Sequence, residues 1–72
     1  MNEGIKFLKR LLDGQESTEG KISFLQLKER QTYHYYCDCS ANFTQEQVDE
    51  YHETWNWIID NLNRLNAEQE AG

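Results

Sequence analysis

The amino-acid sequence predicts a small α+β domain made of a short N-terminal helix, a two-stranded antiparallel hairpin and a long C-terminal amphipathic helix. Three observations lead to this fold class. Apolar residues recur at helical spacing near both ends of the chain, a tyrosine-rich segment of strand-like composition lies between them, and no proline interrupts any of these segments. A chain of 72 residues has room for one domain with one modest core.

The first helix is predicted over residues 3–13. Asn2 is a suitable N-terminal cap, because its side chain can accept a hydrogen bond from the first turn. The apolar face of this helix consists of Ile5, Phe7, Leu8, Leu11 and Leu12. Gly14 is expected to end the helix in a left-handed conformation, and the polar residues 15–20 are expected to form a loop.

The hairpin is predicted from residues 21–28 (KISFLQLK) and 31–39 (QTYHYYCDC), with a turn at residues 28–30. Alternation along the second strand separates two faces. The face expected to pack on the helices consists of Tyr33, Tyr35, Cys37 and Cys39. The opposite face consists of Thr32, His34, Tyr36 and Asp38.

The long helix is predicted over residues 44–66, with residues 66–72 frayed. Thr44 and Gln47 have the spacing of a capping box, and Phe43 and Val48 have that of a hydrophobic staple. One apolar stripe, with steps of three and four residues, consists of Val48, Tyr51, Trp55, Ile58, Leu62 and Leu65. We expect this stripe to pack on the hairpin and on the first helix.

The sequence gives little support to a metal site or to catalysis. His34, Cys37, Cys39 and His52 are residue types that bind zinc, but only one residue separates the two cysteines, whereas structural zinc sites use two to four. Neither histidine has an evident orienting partner, and glycines with phosphate-loop spacing do not occur. We therefore predict no catalytic residue, no metal ligand and no cofactor.

The net charge of −6 is concentrated in one part of the chain. Residues 44–72 contain seven acidic residues and one basic residue, which gives −7 + 1 = −6, while residues 1–15 and 16–43 sum to +1 and −1. Direct binding of nucleic acid requires cations that neutralise phosphates, so this balance argues against it. It favours a partner with a basic surface.

The most suggestive group of residues is an acidic surface on the long helix with a tryptophan in it. It consists of Glu46, Asp49, Glu50, Glu53, Trp57 and Asp60. At about 100° per residue, Trp57 lies about 200° from Trp55 and is directed toward these carboxylates. Exposed aromatic side chains contribute strongly to interfaces, so Trp57 is a candidate anchor for a partner. Packing of Trp57 beneath the first helix or the hairpin is the alternative.

These features predict a small acidic protein-binding module that occupies the basic, nucleic-acid-binding groove of a partner enzyme. Phage inhibitors such as anti-CRISPR proteins include small acidic proteins of this physical type. The analogy between this chain and those inhibitors depends on size and charge alone. The alternative prediction is a homodimer joined through the long helix or the free strand edge. We expect a cytoplasmic protein, because the sequence shows no signal peptide, membrane span or disulfide framework.

Overall fold

The computed structural model describes residues 3–71, which form three α-helices and a short 3₁₀ turn. Helix α1 spans Glu3–Asp13, α2 spans Thr18–Cys39, and α3 spans Gln45–Ala71. The 3₁₀ turn, at Ser40–Asn42, joins α2 to α3. No strand occurs within the described residues, so the predicted α+β fold is wrong and the protein is all-helical.

Helix α1 has the predicted bounds, but only part of its predicted apolar face is buried. Ile5, Leu8 and Leu12 are buried, whereas Phe7 and Leu11 are exposed. The three buried residues follow a spacing of three and four, which aligns them on one side of the helix. The exposed pair lies to the side of that line, where neither of the other helices covers it.

The end of α1 also differs from the prediction. Gly14 has no positive φ angle, so it is not in the left-handed conformation. Its N–H instead donates to the carbonyl oxygen of Leu11 at 3.2 Å, and the N–H of Gln15 donates to that of Leu12 at 3.0 Å. These tight bonds satisfy carbonyl groups that a helix end leaves unpaired. The predicted cap at Asn2 lies outside the described residues.

The two predicted strands, residues 21–28 and 31–39, are parts of the single helix α2. This helix begins inside the predicted loop at residues 15–20. The Ser17 Oγ accepts a hydrogen bond of 2.9 Å from the N–H of Gly20, and the φ and ψ angles of Ser17 are −119° and 157°. Ser17 is therefore the N-cap of α2. The segment was predicted to be a loop because it is polar, and this capping residue was not identified.

The turn predicted at residues 28–30 is wrong because this segment continues the helix. The sequence of residues 26–31, QLKERQ, consists of good helix formers, and no glycine or proline follows Gly20 within α2. A two-stranded hairpin would leave backbone N–H and C=O groups unpaired along its edges, whereas a helix pairs them internally. The alternating faces predicted for residues 31–39 do not exist, because side chains on a helix do not alternate.

The start of α3 is confirmed in detail. The backbone N–H of Gln47 donates to the Thr44 Oγ1 at 3.2 Å, and the backbone N–H of Thr44 donates to the Gln47 Oε1 at 2.9 Å. This reciprocal pair is the capping box. Phe43, which was expected to contact Val48, makes ring contacts with Tyr35 and Tyr36. The helix continues to Ala71, beyond the end predicted near residue 66.

Helices α2 and α3 form an antiparallel pair, and α1 packs on both of them at one end. The molecule is elongated, with extents of 43 × 19 × 14 Å. The core cluster consists of Leu8, Leu12, Ile22, Leu25, Ile58, Leu62 and Leu65. No residue between Leu25 and Ile58 is fully buried. An 11-residue helix is about 16 Å long, too short for α1 to cover a helix pair of about twice that length.

Candidate protein-binding surface

The five predicted acidic residues lie on one exposed stripe of α3. We call Glu46, Asp49, Glu50, Glu53 and Asp60 the acidic ridge. All five are exposed, and their spacing confines them to an arc of about 100° around the helix axis. Because they belong to one continuous helix, their relative positions are fixed by its backbone rather than by loops.

The acidic ridge forms no ion pair with any basic side chain among the described residues. Across residues 3–71, the single ion pair is the one between the Lys6 Nζ and the Glu3 Oε1, at 3.4 Å on the exposed side of α1. Asp49 accepts a hydrogen bond of 2.9 Å from the Gln45 Nε2, a neutral donor. The carboxylates of the ridge are thus available to an external cation.

Trp57 lies within the same arc of α3 as the acidic ridge but, unlike the five carboxylates, it is not fully exposed. Its side chain is half-buried and packs against the core cluster. It lines a cleft whose other members are Lys9, Leu12, Asp13, Asn61 and Arg64. Helix α1 therefore lies beside Trp57. The sequence left two alternatives for this side chain: an exposed anchor for a partner, or packing against another element. The backbone carbonyl of Trp57 accepts a hydrogen bond of 2.8 Å from the Asn61 Nδ2.

The other end of the molecule contains a cluster of rings that the sequence reasoning missed. We call it the aromatic cluster; it consists of Tyr33, His34, Tyr35, Tyr36, Phe43, Tyr51, His52 and Trp55. Its centre is a stacked pair, Tyr36 and Tyr51, with ring centroids 4.2 Å apart. Tyr51 also stacks on Trp55 at 6.1 Å. The rings join α2 to α3 where no third helix is present.

Interpretation of residues 31–39 as part of a helix would have predicted this cluster. Tyr33 and Tyr36 lie three residues apart on α2, and Tyr51 and Trp55 lie four apart on α3, so each pair shares one side of its helix. Assigning strands to residues 31–39 placed Tyr33 and Tyr36 on opposite faces. The rings remain partly accessible, and Tyr35 is 56% exposed.

Two tyrosines of the aromatic cluster have a raised pKa, for different physical reasons. Burial disfavours the phenolate and raises the pKa of Tyr51 above its ordinary value of 10.0, and the nearby Cys37, Tyr36 and Tyr33 add to the rise. The pKa of Tyr33 is raised by a side-chain hydrogen bond with Cys37 and by the charge of that group when ionised.

Two grooves flank the aromatic cluster. The open groove has a volume of about 260 Å³ and is lined by Thr32, Tyr35, Phe43, Gln47, Glu50, Tyr51 and Thr54. The second groove, of about 540 Å³, is lined by Gln26, Glu29, Arg30, Tyr33 and Trp55. The first has one charged side chain in its lining, an acidic one, whereas the second has one acidic and one basic side chain.

The four residues with zinc-ligand chemistry do not come together. Within the part of the chain that the structure describes, no group of three or more His, Cys, Asp and Glu side chains is arranged to hold a metal ion. Cys37 is exposed, Cys39 is half-buried, and both are free thiols. Two residues apart on a helix, they are rotated by about 200° from each other, which separates their sulfur atoms.

The surfaces suggested for homodimerisation have changed with the fold. The long apolar stripe of α3 packs on α2: Ile58, Leu62 and Leu65 are buried, while Val48 and Tyr51 are half-buried. The free strand edge does not exist, because residues 21–39 are helical. The predicted strand edge is therefore wrong, whereas a dimer contact through the half-buried N-terminal part of the α3 stripe stays a prediction.

Comparison of the chain with protein-family models, with curated proteins and with solved structures finds no match. None of the helices formed by residues 3–71 combines the length and the apolar character needed to cross a bilayer. The exposed residues of the described chain are therefore the basis for inferring its function.

Proposed function

We propose that this protein binds a basic surface of a partner protein through the acidic ridge and so blocks the nucleic-acid groove of that partner. The observation that carries the proposal is the set of five exposed carboxylates on one side of a continuous helix, with no basic side chain within 4 Å among the described residues. Carboxylates without internal counterions create a negative potential at this surface, which attracts a basic partner and favours a complementary interface.

The spacing of the ridge supports a nucleic-acid groove as the target. Fourteen residues separate Glu46 from Asp60, a rise of about 21 Å. The four intervals between five carboxylates therefore average about 5 Å, compared with one phosphate per about 3.4 Å along the axis of one DNA strand. The ridge offers roughly two-thirds of the linear charge density of a single strand, on a rigid support.

The proposal predicts that association depends on salt and on the position of the charges. Glu50→Lys, Glu53→Lys and Asp60→Lys together change the net charge from −6 to 0, since each substitution adds two units. The matched control is Glu16→Lys, Asp38→Lys and Glu70→Lys, which makes the same change at exposed positions off the ridge. The ridge variant should lose its partner, and the control should keep it.

Capture from the native cell at about 50 mM and about 500 mM salt, followed by titration of the captured protein, is the measurement. Binding should weaken at high salt, and a DNA oligonucleotide should compete for the same groove. Circular dichroism verifies that both variants remain helical. Equal affinity of the ridge variant and the unmodified protein would show that the acidic ridge is not the binding surface.

A further inference from the structure

One side of α3 borders two clefts in succession. The residues that line them from α3 recur every three or four positions: Gln47, Glu50, Thr54, Trp57, Asn61 and Arg64. The C-terminal three share their cleft with Lys9, Leu12 and Asp13 of α1. The N-terminal three line the open groove, whose described lining contains no residue of α1. Helix α1 thus borders the C-terminal half of this stripe and does not line the groove at its N-terminal half.

Helix α1 borders the C-terminal half of this stripe through Lys9, Leu12 and Asp13. It is an amphipathic helix that buries Ile5, Leu8 and Leu12 at a spacing of three and four. Its exposed positions include three basic residues, Lys6, Lys9 and Arg10. With Glu3 and Asp13, its charge sums to +3 − 2 = +1, opposite in sign to the −6 of residues 44–72. This helix is therefore apolar on one side and carries three cations and two carboxylates on the other, with a net charge of +1.

The open groove has complementary chemistry for a second segment of this kind. Tyr35, Phe43 and Tyr51 give it aromatic walls, and Glu50 is the one charged residue in its lining. Glu46, Asp49 and Glu53 of the acidic ridge are exposed on the same segment of α3. A volume of about 260 Å³ in an open groove is below the usual size of small-molecule pockets, about 300–1,000 Å³, and suits inserted side chains.

We propose that the open groove binds an amphipathic, lysine- or arginine-rich helix of the partner. Bulky apolar side chains of that helix, three and four residues apart, enter between Tyr35 and Tyr51. Its cations pair with Glu50 and the rest of the ridge. This inference depends on the proposed function, because it specifies which element of the basic partner makes contact. A second copy of this chain would bring two acidic ridges together, so its charge is unfavourable.

Two synthetic peptides of identical leucine and lysine composition test the inference. In the first, leucines recur every three or four residues so that the peptide is amphipathic as a helix; in the second, the order is scrambled. Both peptides have the same charge, so electrostatic attraction to the acidic ridge alone would give them equal affinities. We expect the amphipathic peptide to bind at least about tenfold more tightly. Backbone amide shifts should be largest at Thr32, Tyr35 and Thr54.

A charge placed inside the groove provides the matched variant. Thr32→Lys adds one positive charge to the lining of the open groove, and Gln26→Lys adds the same charge to the second groove, on the other side of α2. The first should weaken binding of the amphipathic peptide by about tenfold, because like charges meet, while the control should change it by less than about twofold. Circular dichroism establishes that both variants are folded, and the amide shifts locate the peptide independently of either variant.

The outcomes separate this inference from the proposed function. Equal binding of both peptides, with amide shifts along the ridge and none in the groove, overturns the groove and leaves the ridge intact. Binding of neither peptide overturns both. Self-association in sedimentation experiments that Thr32→Lys abolishes would make a second copy the occupant and would also overturn the inference.

Discussion

At the scale of single residues, a reciprocal capping pair fixes the start of α3, and stacked rings join α2 to α3. The Thr44 and Gln47 pair follows from a known spacing, so its geometry was predictable. The stacking of Tyr36 on Tyr51 joins two helices, so it depends on the approach of residues 15 positions apart. The aromatic character of these residues was visible in the sequence, but their partners were not.

The raised pKa of Tyr51 predicts a loss of stability at alkaline pH. Because the folded-state pKa lies above the unfolded value of 10.0, the stabilising contribution of neutral Tyr51 is complete below pH 10.0. It is lost as the pH rises through the folded-state pKa. Tyr51→Phe removes the titrating group and keeps the ring, so it should retain more of its neutral-pH stability above pH 10.0 than the unmodified protein does.

Spectrophotometric titration of both proteins, with thermal unfolding at each pH, provides the measurement. The difference between the two titration curves reports the ionisation of Tyr51. The midpoint of this difference curve should lie above pH 10.0. The burial of this phenol would be contradicted if both proteins lost stability equally with rising pH and if the titration midpoint of Tyr51 lay at the ordinary tyrosine pKa of 10.0.

At the scale of elements, α2 is where local preference and the final structure disagree. Tyrosine and threonine in residues 31–39 favour strands, and residues 21–28 are a short apolar run that fits a strand or a buried helix equally well. The cap at Ser17 and the helix-forming segment QLKERQ favour one helix instead. Pairing of α2 along α3 decides between them, because it buries Ile22 and Leu25 and gives the rings a partner surface.

Ser17 provides a direct test of this element. As the N-cap of α2, its replacement by alanine should lower the free energy of unfolding by about 1 kcal/mol, since the N–H of Gly20 loses its acceptor. Ser23→Ala, at an exposed position inside α2, is the control and should be neutral or slightly stabilising, because alanine is the better helix former. Urea unfolding followed by circular dichroism measures both. A neutral Ser17→Ala would indicate that this segment is a loop.

At the scale of the whole molecule, the buried core and the aromatic cluster lie at opposite ends. The core lies where α1, α2 and α3 all meet, and the aromatic cluster lies where only α2 and α3 do. Leaving one end of a helix pair uncovered keeps rings and carboxylates accessible on a rigid support. This separation allows surface variants of the acidic ridge without loss of the fold, which the binding experiments require.

A pair of leucine substitutions tests the position of the core. Leu25 is 0% exposed and Leu27 is 51% exposed, although a strand would place both on one face. Leu25→Ala should lower the free energy of unfolding by about 2–5 kcal/mol, a large share of the total for a small domain. Leu27→Ala should change it by less than about 0.5 kcal/mol. Chemical denaturation measures the difference, and equal effects of the two substitutions would refute the helical packing of α2.

Features that arise within one helix follow from local spacing: the bounds of α1, the start and apolar stripe of α3, and the exposed acidic ridge. They depend on periodicity and capping, which act over a few residues. Three other features depend on contacts between helices: residues 18–39 form a helix, the rings of α2 meet those of α3, and α1 lies beside Trp57 and does not line the open groove. The physical reason is that burial and ring stacking join residues distant in the chain, and their free energy can outweigh a weak local preference for strands.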